Sequence, residues 1–130
     1  MTAKRVFFLI RSTFKKEVPL IAMDHALGCL TARGFKVEPV VAFVGAGVLN
    51  CLRGQDGMGT YGIETPEERI KMLLVSDVKV LVCGEDMERY GITMDMLTDA
   101  REFNAENTIQ PVSFEEIREG IESSDMVLVF

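Results

Sequence analysis

Apolar runs recur along the chain with polar, helix-compatible segments between them, and that alternation predicts the architecture. Lys4–Ile10, Lys36–Val44, Val78–Cys83 and Asp125–Phe130 are rich in Val, Ile, Leu and Phe, and Thr108–Val112 is a shorter, weaker run limited by Pro111. All five read as strands. The run ending at Cys83 is apolar at successive positions, which marks a strand buried on both faces, as in a parallel sheet. Pro39 fits the second run only near a strand start or an edge, because it has no N–H to give to a ladder.

The intervening segments carry helix signals. After a polar loop, Arg11 to Glu17, Pro19 suits a first helical turn. Leu20, Met23, Leu27 and Leu30 then recur at helical spacing, and Gly34 closes the segment. Gly45-Ala46-Gly47 opens a short helix over Val48–Leu52. Thr65-Pro66-Glu67-Glu68 combines an N-cap, a proline at the first position and a capping-box acid, starting a helix that runs to about Ser76. Glu85 and Asp86 suit the first turn of a helix after Gly84. Ser113, with Glu116 three residues on, caps another that runs through Gly120 or Ser123. Strands separated by helices predict an α/β three-layer sandwich with a mainly parallel, five-stranded sheet and right-handed crossovers, in a single domain over residues 1–130. Gly54–Gly62, with four glycines in nine residues, is expected to be an irregular surface loop. The long connection Gly91–Thr108 is expected to be a lid, an interface or a disordered loop.

Composition narrows the function classes. No apolar run approaches the roughly 20 residues of a membrane span, and Val6–Ile10 is too short for a signal-peptide core, so a cytoplasmic protein without a membrane role is expected. A formal charge of -6 argues against direct nucleic-acid binding, the local group Arg11, Lys15 and Lys16 notwithstanding. Cys29, Cys51 and Cys83 are odd in number, widely spaced and without a Cys-x-x-Cys pair, which points to reduced thiols rather than disulfides or zinc. Ile21, His25 and Cys29 share a helix side but bring no third ligand, so no metal site is expected. Gly45-Ala46-Gly47 lacks the third glycine of a dinucleotide fingerprint because Asn50 stands there. No organic cofactor is expected.

Cys83 is the candidate reactive residue. It lies between a strand end and a helix start, where open parallel sheets place their ligands and where a helix amino end favours a thiolate. A cysteine ending an apolar strand is also commonly just a small buried side chain. Glu85, Asp86 and Glu88 should raise the thiol pKa, while Arg89 and the helix end should lower it. These opposed effects predict a moderately activated thiol.

Several motifs taken together resemble the DsrE/DsrF-like (YchN-like, TusD-related) sulfur-relay family. They are Leu52-Arg53-Gly54-Gln55, Gly57-Met58-Gly59 with Tyr61, Val82-Cys83 with Gly91-Ile92, and the Asp125–Phe130 ending. The resemblance spans essentially the whole chain. It implies a five-stranded parallel sheet between helices, a homotrimer or homohexamer, and a persulfide carried on Cys83. Gly84, Arg89, Arg53, Gln55 and Tyr61 would shape that site, and sulfur donor and acceptor proteins would be the partners. The chain departs from the family pattern at Tyr90, where arginine is frequent, and at Ala46, where an acid is frequent. Eight Met and eight Phe also point to apolar surface beyond one core, in keeping with self-association. The leading expectation is a sulfur carrier or sulfurtransferase-like protein. The alternatives are a scaffold or binding subunit of the same fold with an inert Cys83, and an unrelated flavin or nucleotide binder on a flavodoxin-like sheet.

Overall fold

The computed structural model describes residues 3–31, 36–55 and 64–130. Its five strands are β1 (Lys4–Ile10), β2 (Val37–Phe43), β3 (Lys79–Cys83), β4 (Gln110–Val112) and β5 (Met126–Val129), and its α-helices are α1 (Val18–Gly28), α2 (Pro66–Val75), α3 (Gly84–Arg89) and α4 (Phe114–Glu122). The strands form one sheet in the order β4-β3-β2-β1-β5, and every adjacent pair is parallel. The predicted three-layer α/β sandwich is the observed fold.

The strand order fixes which helix lies on which face. Successive steps from β1 to β2, β3 and β4 move in one direction, whereas the step from β4 to β5 returns across the whole sheet. Right-handed crossovers therefore put α4 on the opposite face from the helices before it. The packing agrees. Ala22, Met23 and Ala26 of α1 and Ile70, Leu73 and Leu74 of α2 share a core with Phe8, Ile10, Val41, Phe43, Val80 and Val82, one set of alternating strand positions. The other set, Phe7, Val40, Ala42, Leu81 and Cys83, packs with Ile117 of α4. α1 and α2, joined by Met87 of the short α3, thus cover one face, and a single nine-residue helix covers the other.

Local signals act as read at the starts of α2 and α4. The Thr65 hydroxyl accepts from the Glu68 N–H at 3.4 Å, and the Ser113 hydroxyl accepts from the Glu116 N–H at 3.1 Å. Elsewhere packing redraws the expectation. The buried side of α1 is built on Ala22, Met23 and Ala26, while Leu20 and Leu27 are only half-buried and Leu30 is exposed. The helix is apolar on more than one side, and the small alanines let its backbone approach the sheet. It ends at Gly28 and tightens into a 3₁₀ turn, Cys29–Thr31, while Gly34 lies outside the described residues.

Pro39 sits in the central strand, but ahead of the β2–β3 ladder, which begins at Val40, so its missing N–H leaves no gap there. The connection after α3 packs on the core through Leu97, Ala100 and Ile109, and the Thr98 N–H donates to the Cys51 carbonyl at 2.8 Å. The closing run β5 is an edge strand, with Met126 and Val129 each 54% exposed. Phe130 just beyond it stacks on Phe8 with ring centroids 6.1 Å apart. Among the described residues no helix is long and apolar enough to cross a membrane.

Candidate functional site

The Cys83 site is assembled where the two helical layers part. β3 leads into α3, whose Met87 packs on the α1/α2 side, whereas its neighbour β4 leads into α4 on the other side. Adjacent strands whose following helices diverge form the topological switch point of an open parallel sheet, and the crevice there is where such sheets hold ligands. Cys83 is the last residue of β3 and pairs in register with Val112, the last of β4. The strand run therefore delivers its thiol to the switch point.

The thiol is enclosed. Cys83 is 1% exposed. Its Sγ donates to Glu85 Oε1 at 3.9 Å. Both Glu85 carboxylate oxygens in turn accept from the N–H of Phe114, the first residue of α4, at 3.1 Å each. Asp86, also nearly buried, accepts a 2.7 Å hydrogen bond from the Gly45 N–H, tying α3 to the turn after β2. Burial is the largest influence on Cys83 and raises its pKa above the ordinary thiol value. The Asp86 N–H opposes this, and the Asp86 and Glu85 carboxylates add to it. The balance expected from sequence is thus displaced: α3 has six residues and little dipole to offer, and the exposed Arg89 lies 3.5 Å from Asp86, so its charge offsets that carboxylate. The resting site holds a protonated thiol.

Gly84 opens α3 with no steric demand for glycine, since an added Cβ would lie 3.4 Å from the Val112 carbonyl oxygen, an ordinary contact. Arg53 and Gln55 are engaged elsewhere. Arg53 donates to the Leu97 carbonyl through Nε and Nη2 at 3.1 and 2.9 Å and reaches Asp99 at 3.0 Å. The Gln55 amide donates to the Asn50 and Leu52 carbonyls and accepts from the Glu67 N–H. The buried Glu67 carboxylate receives the Gly54 N–H at 2.6 Å. This network anchors the start of the glycine-rich loop to α2 and to residues 97–99. No hydrogen bond among the described residues links Arg53 or Gln55 to Cys83. Tyr61 and the Gly57-Met58-Gly59 motif lie outside the described residues.

Sequence reasoning missed the bridging role of Glu85, which it saw only as a neighbouring charge. Glu85 and Phe114 are 29 residues apart, and no local pattern announces their contact. The other thiols are differently placed: Cys51 is fully buried in the α1/α2 core, which pushes its pKa strongly up, and Cys29 is half-buried on α1's flank. His25 and Ile21 are exposed on α1, and among the described residues no group of three His, Cys, Asp or Glu side chains is gathered for a metal. Gly45 and Gly47 have structural duties. Gly45 adopts a left-handed φ of +55°, and a Cβ on Gly47 would lie 2.3 Å from the Ile10 carbonyl oxygen.

A parallel five-stranded sheet with one buried thiol at its switch point defines an α/β class of protein, and the comparisons place it more narrowly. The model of the DsrE/DsrF-like family matches residues 4–130, so the chain belongs to that family. The fold is that of the YchN protein from E. coli, with a TM-score of 0.74 at 17% identity over 99% of this chain and 100% of that one. A protein of unknown function from Methanobacterium thermoautotrophicum, MTH1491, is similar with a TM-score of 0.68 at 18% identity, covering 98% and 99% of the two chains. No curated protein matches.

Proposed function

We propose that this protein is a cytoplasmic sulfur carrier that holds sulfane sulfur as a persulfide on Cys83. The observation that carries the reading is the position of Cys83 at the end of β3, paired with Val112, in the crevice where α3 and α4 diverge. Membership of the DsrE/DsrF-like family supports it. In the transfer a donor persulfide R–S–SH meets the Cys83 thiolate, which attacks the outer sulfur. A Cys83–S–SH persulfide forms as the donor S–S bond breaks, and the proton lost by Cys83 is balanced by the one that R–S⁻ takes up. No net oxidation occurs and no metal or organic cofactor takes part. Passing the sulfur to an acceptor protein repeats the exchange. Gly84 and Arg89 adjoin the thiol along α3, Gln55 and Tyr61 belong to the loop that would complete the site, and Arg53 anchors that loop to residues 97–99 from a distance.

Self-association, as a homotrimer or homohexamer, is part of the same reading. A groove of about 700 Å³ sets the exposed Met72, Val75 and Phe103 among polar and charged residues of α2 and Glu102. Light scattering at micromolar concentration should give a mass several times that of the 14.5 kDa chain.

The burial of Cys83 favours a second reading, an oligomeric scaffold of the same fold with an inert thiol. Intact mass spectrometry decides between them. In a Cys29→Ser, Cys51→Ala background, incubation with a small persulfide donor should add about 32 Da, one sulfur atom, to the folded protein, and Cys83→Ser should abolish the gain. A folded protein that stays unmodified while the denatured chain reacts would establish the scaffold.

A further inference from the structure

We propose that Glu85 is a latch on Cys83: by holding the Phe114 N–H it keeps the first turn of α4 closed over the thiol, and release of that contact exposes Sγ. The inference rests on Cys83 being the reactive thiol of the preceding section. It explains how a residue that is 1% exposed can meet a donor at all.

Four observations converge on it. Glu85 spends both carboxylate oxygens on one donor, the Phe114 N–H, while Oε1 also lies 3.9 Å from Sγ, so a single side chain joins the thiol to the start of α4. The ladder partner of Cys83 is Val112, two residues before Phe114, so movement of that first turn begins beside the thiol. α4 is lightly attached: of its nine residues only Ile117 is buried, and Phe114 itself is 54% exposed. A cavity of about 120 Å³ opens beside Phe7, Val112, Glu116 and Gly120, so although Gly120 lies close against Phe7 the helix leaves space between itself and the sheet toward its first turn. A helix with so little buried surface draws on the low-stability end of the fold. A charge-assisted hydrogen bond is then a large share of what keeps its first turn in place.

The chain offers a way to remove the bond without removing the charge. Phe114 is the first residue of α4, where proline is well tolerated, and Ser113 before it already has the extended backbone (φ -72°, ψ 156°) that a following proline requires. Phe114→Pro deletes the N–H that Glu85 holds, and Phe114→Ala deletes the same ring but keeps the N–H. In the Cys29→Ser, Cys51→Ala background, iodoacetamide alkylation of Cys83 at pH 8 should be roughly 10- to 100-fold faster in Phe114→Pro than in Phe114→Ala, the factor that loss of a hydrogen bond to a charged group implies. Glu85→Ala, which removes the acceptor altogether, should also be alkylated faster than the parent, with Glu85→Gln, which can still accept through its amide oxygen, in between. Equal rates in the proline and alanine variants, or a Glu85→Ala variant no faster than the parent, overturn the latch. If the unlatched variants alkylate quickly yet none gains sulfur from a persulfide donor, the sulfur-carrier reading falls and the latch stands.

Discussion

Asp86 Oδ2 lies 2.7 Å from the backbone nitrogen of Gly45, and this bond fastens the helix after the cysteine strand to the turn after the central strand. The two residues are 41 apart in sequence, and the carboxylate so held is near enough to Cys83 to raise the pKa of its thiol.

Asp86→Ala should therefore lower stability by about 1–3 kcal/mol, because it takes the charged acceptor from the half-buried Gly45 N–H. Urea unfolding measures the loss. Asp86→Asn, which can still accept through its amide oxygen, should lose less. Equal losses would show that the bond itself contributes little.

Gly47 and Gly84 should respond oppositely to alanine. A Cβ at Gly47 would lie 2.3 Å from the Ile10 carbonyl oxygen and 3.1 Å from the Arg11 Cα, both backbone atoms that cannot step aside cheaply, so Gly47→Ala should cost on the order of 3 kcal/mol or prevent folding. Gly84→Ala meets only the Val112 oxygen at 3.4 Å and should change stability by less than about 1 kcal/mol. Thermal unfolding of the two purified variants checks both.

Stability should decline in mildly alkaline solution. Burial raises the pKa of Cys51 and of Cys83, so the folded state keeps protons that the unfolded chain releases from about pH 8.5 upward. Both thiols thus contribute fully below that pH, and the contribution is lost as pH rises toward their folded-state values. Denaturant midpoints measured from pH 7 to pH 10 should fall, and Cys51→Ala should flatten the fall. An unchanged slope in that variant would contradict the assignment to Cys51.

Arg53→Ala should weaken the fold without altering the thiol. It removes two hydrogen bonds to the Leu97 carbonyl and an ion pair with Asp99, a loss of about 1–3 kcal/mol given the charge on the donor. Cys83 alkylation should stay within about twofold of the parent, since only a large change in local opening would move it. A rate change of tenfold or more would place Arg53 in the working site after all.

The amino-acid sequence by itself determined the alternation of strands and helices, the caps at Thr65 and Ser113, and the candidate thiol, because these depend on neighbours within a turn or a strand. Val78–Cys83 reads as a two-faced buried strand because β3 is interior, and its residues from Val80 onward are buried. The Asp125–Phe130 run has a similar apolar appearance yet becomes an edge beside β1, because which strand a run docks against is decided by long-range packing and leaves no mark in local hydropathy. Only the tertiary structure decided the character of the site. Packing drew Ala22 and Ala26 deeper into the core than Leu20 and Leu27, took Arg53 and Gln55 into a loop-anchoring network, and brought Glu85 to Phe114. Contacts between residues tens of positions apart leave no periodicity in a sequence. Desolvation, which governs the Cys83 thiol, exists only once α4 has folded back across the sheet.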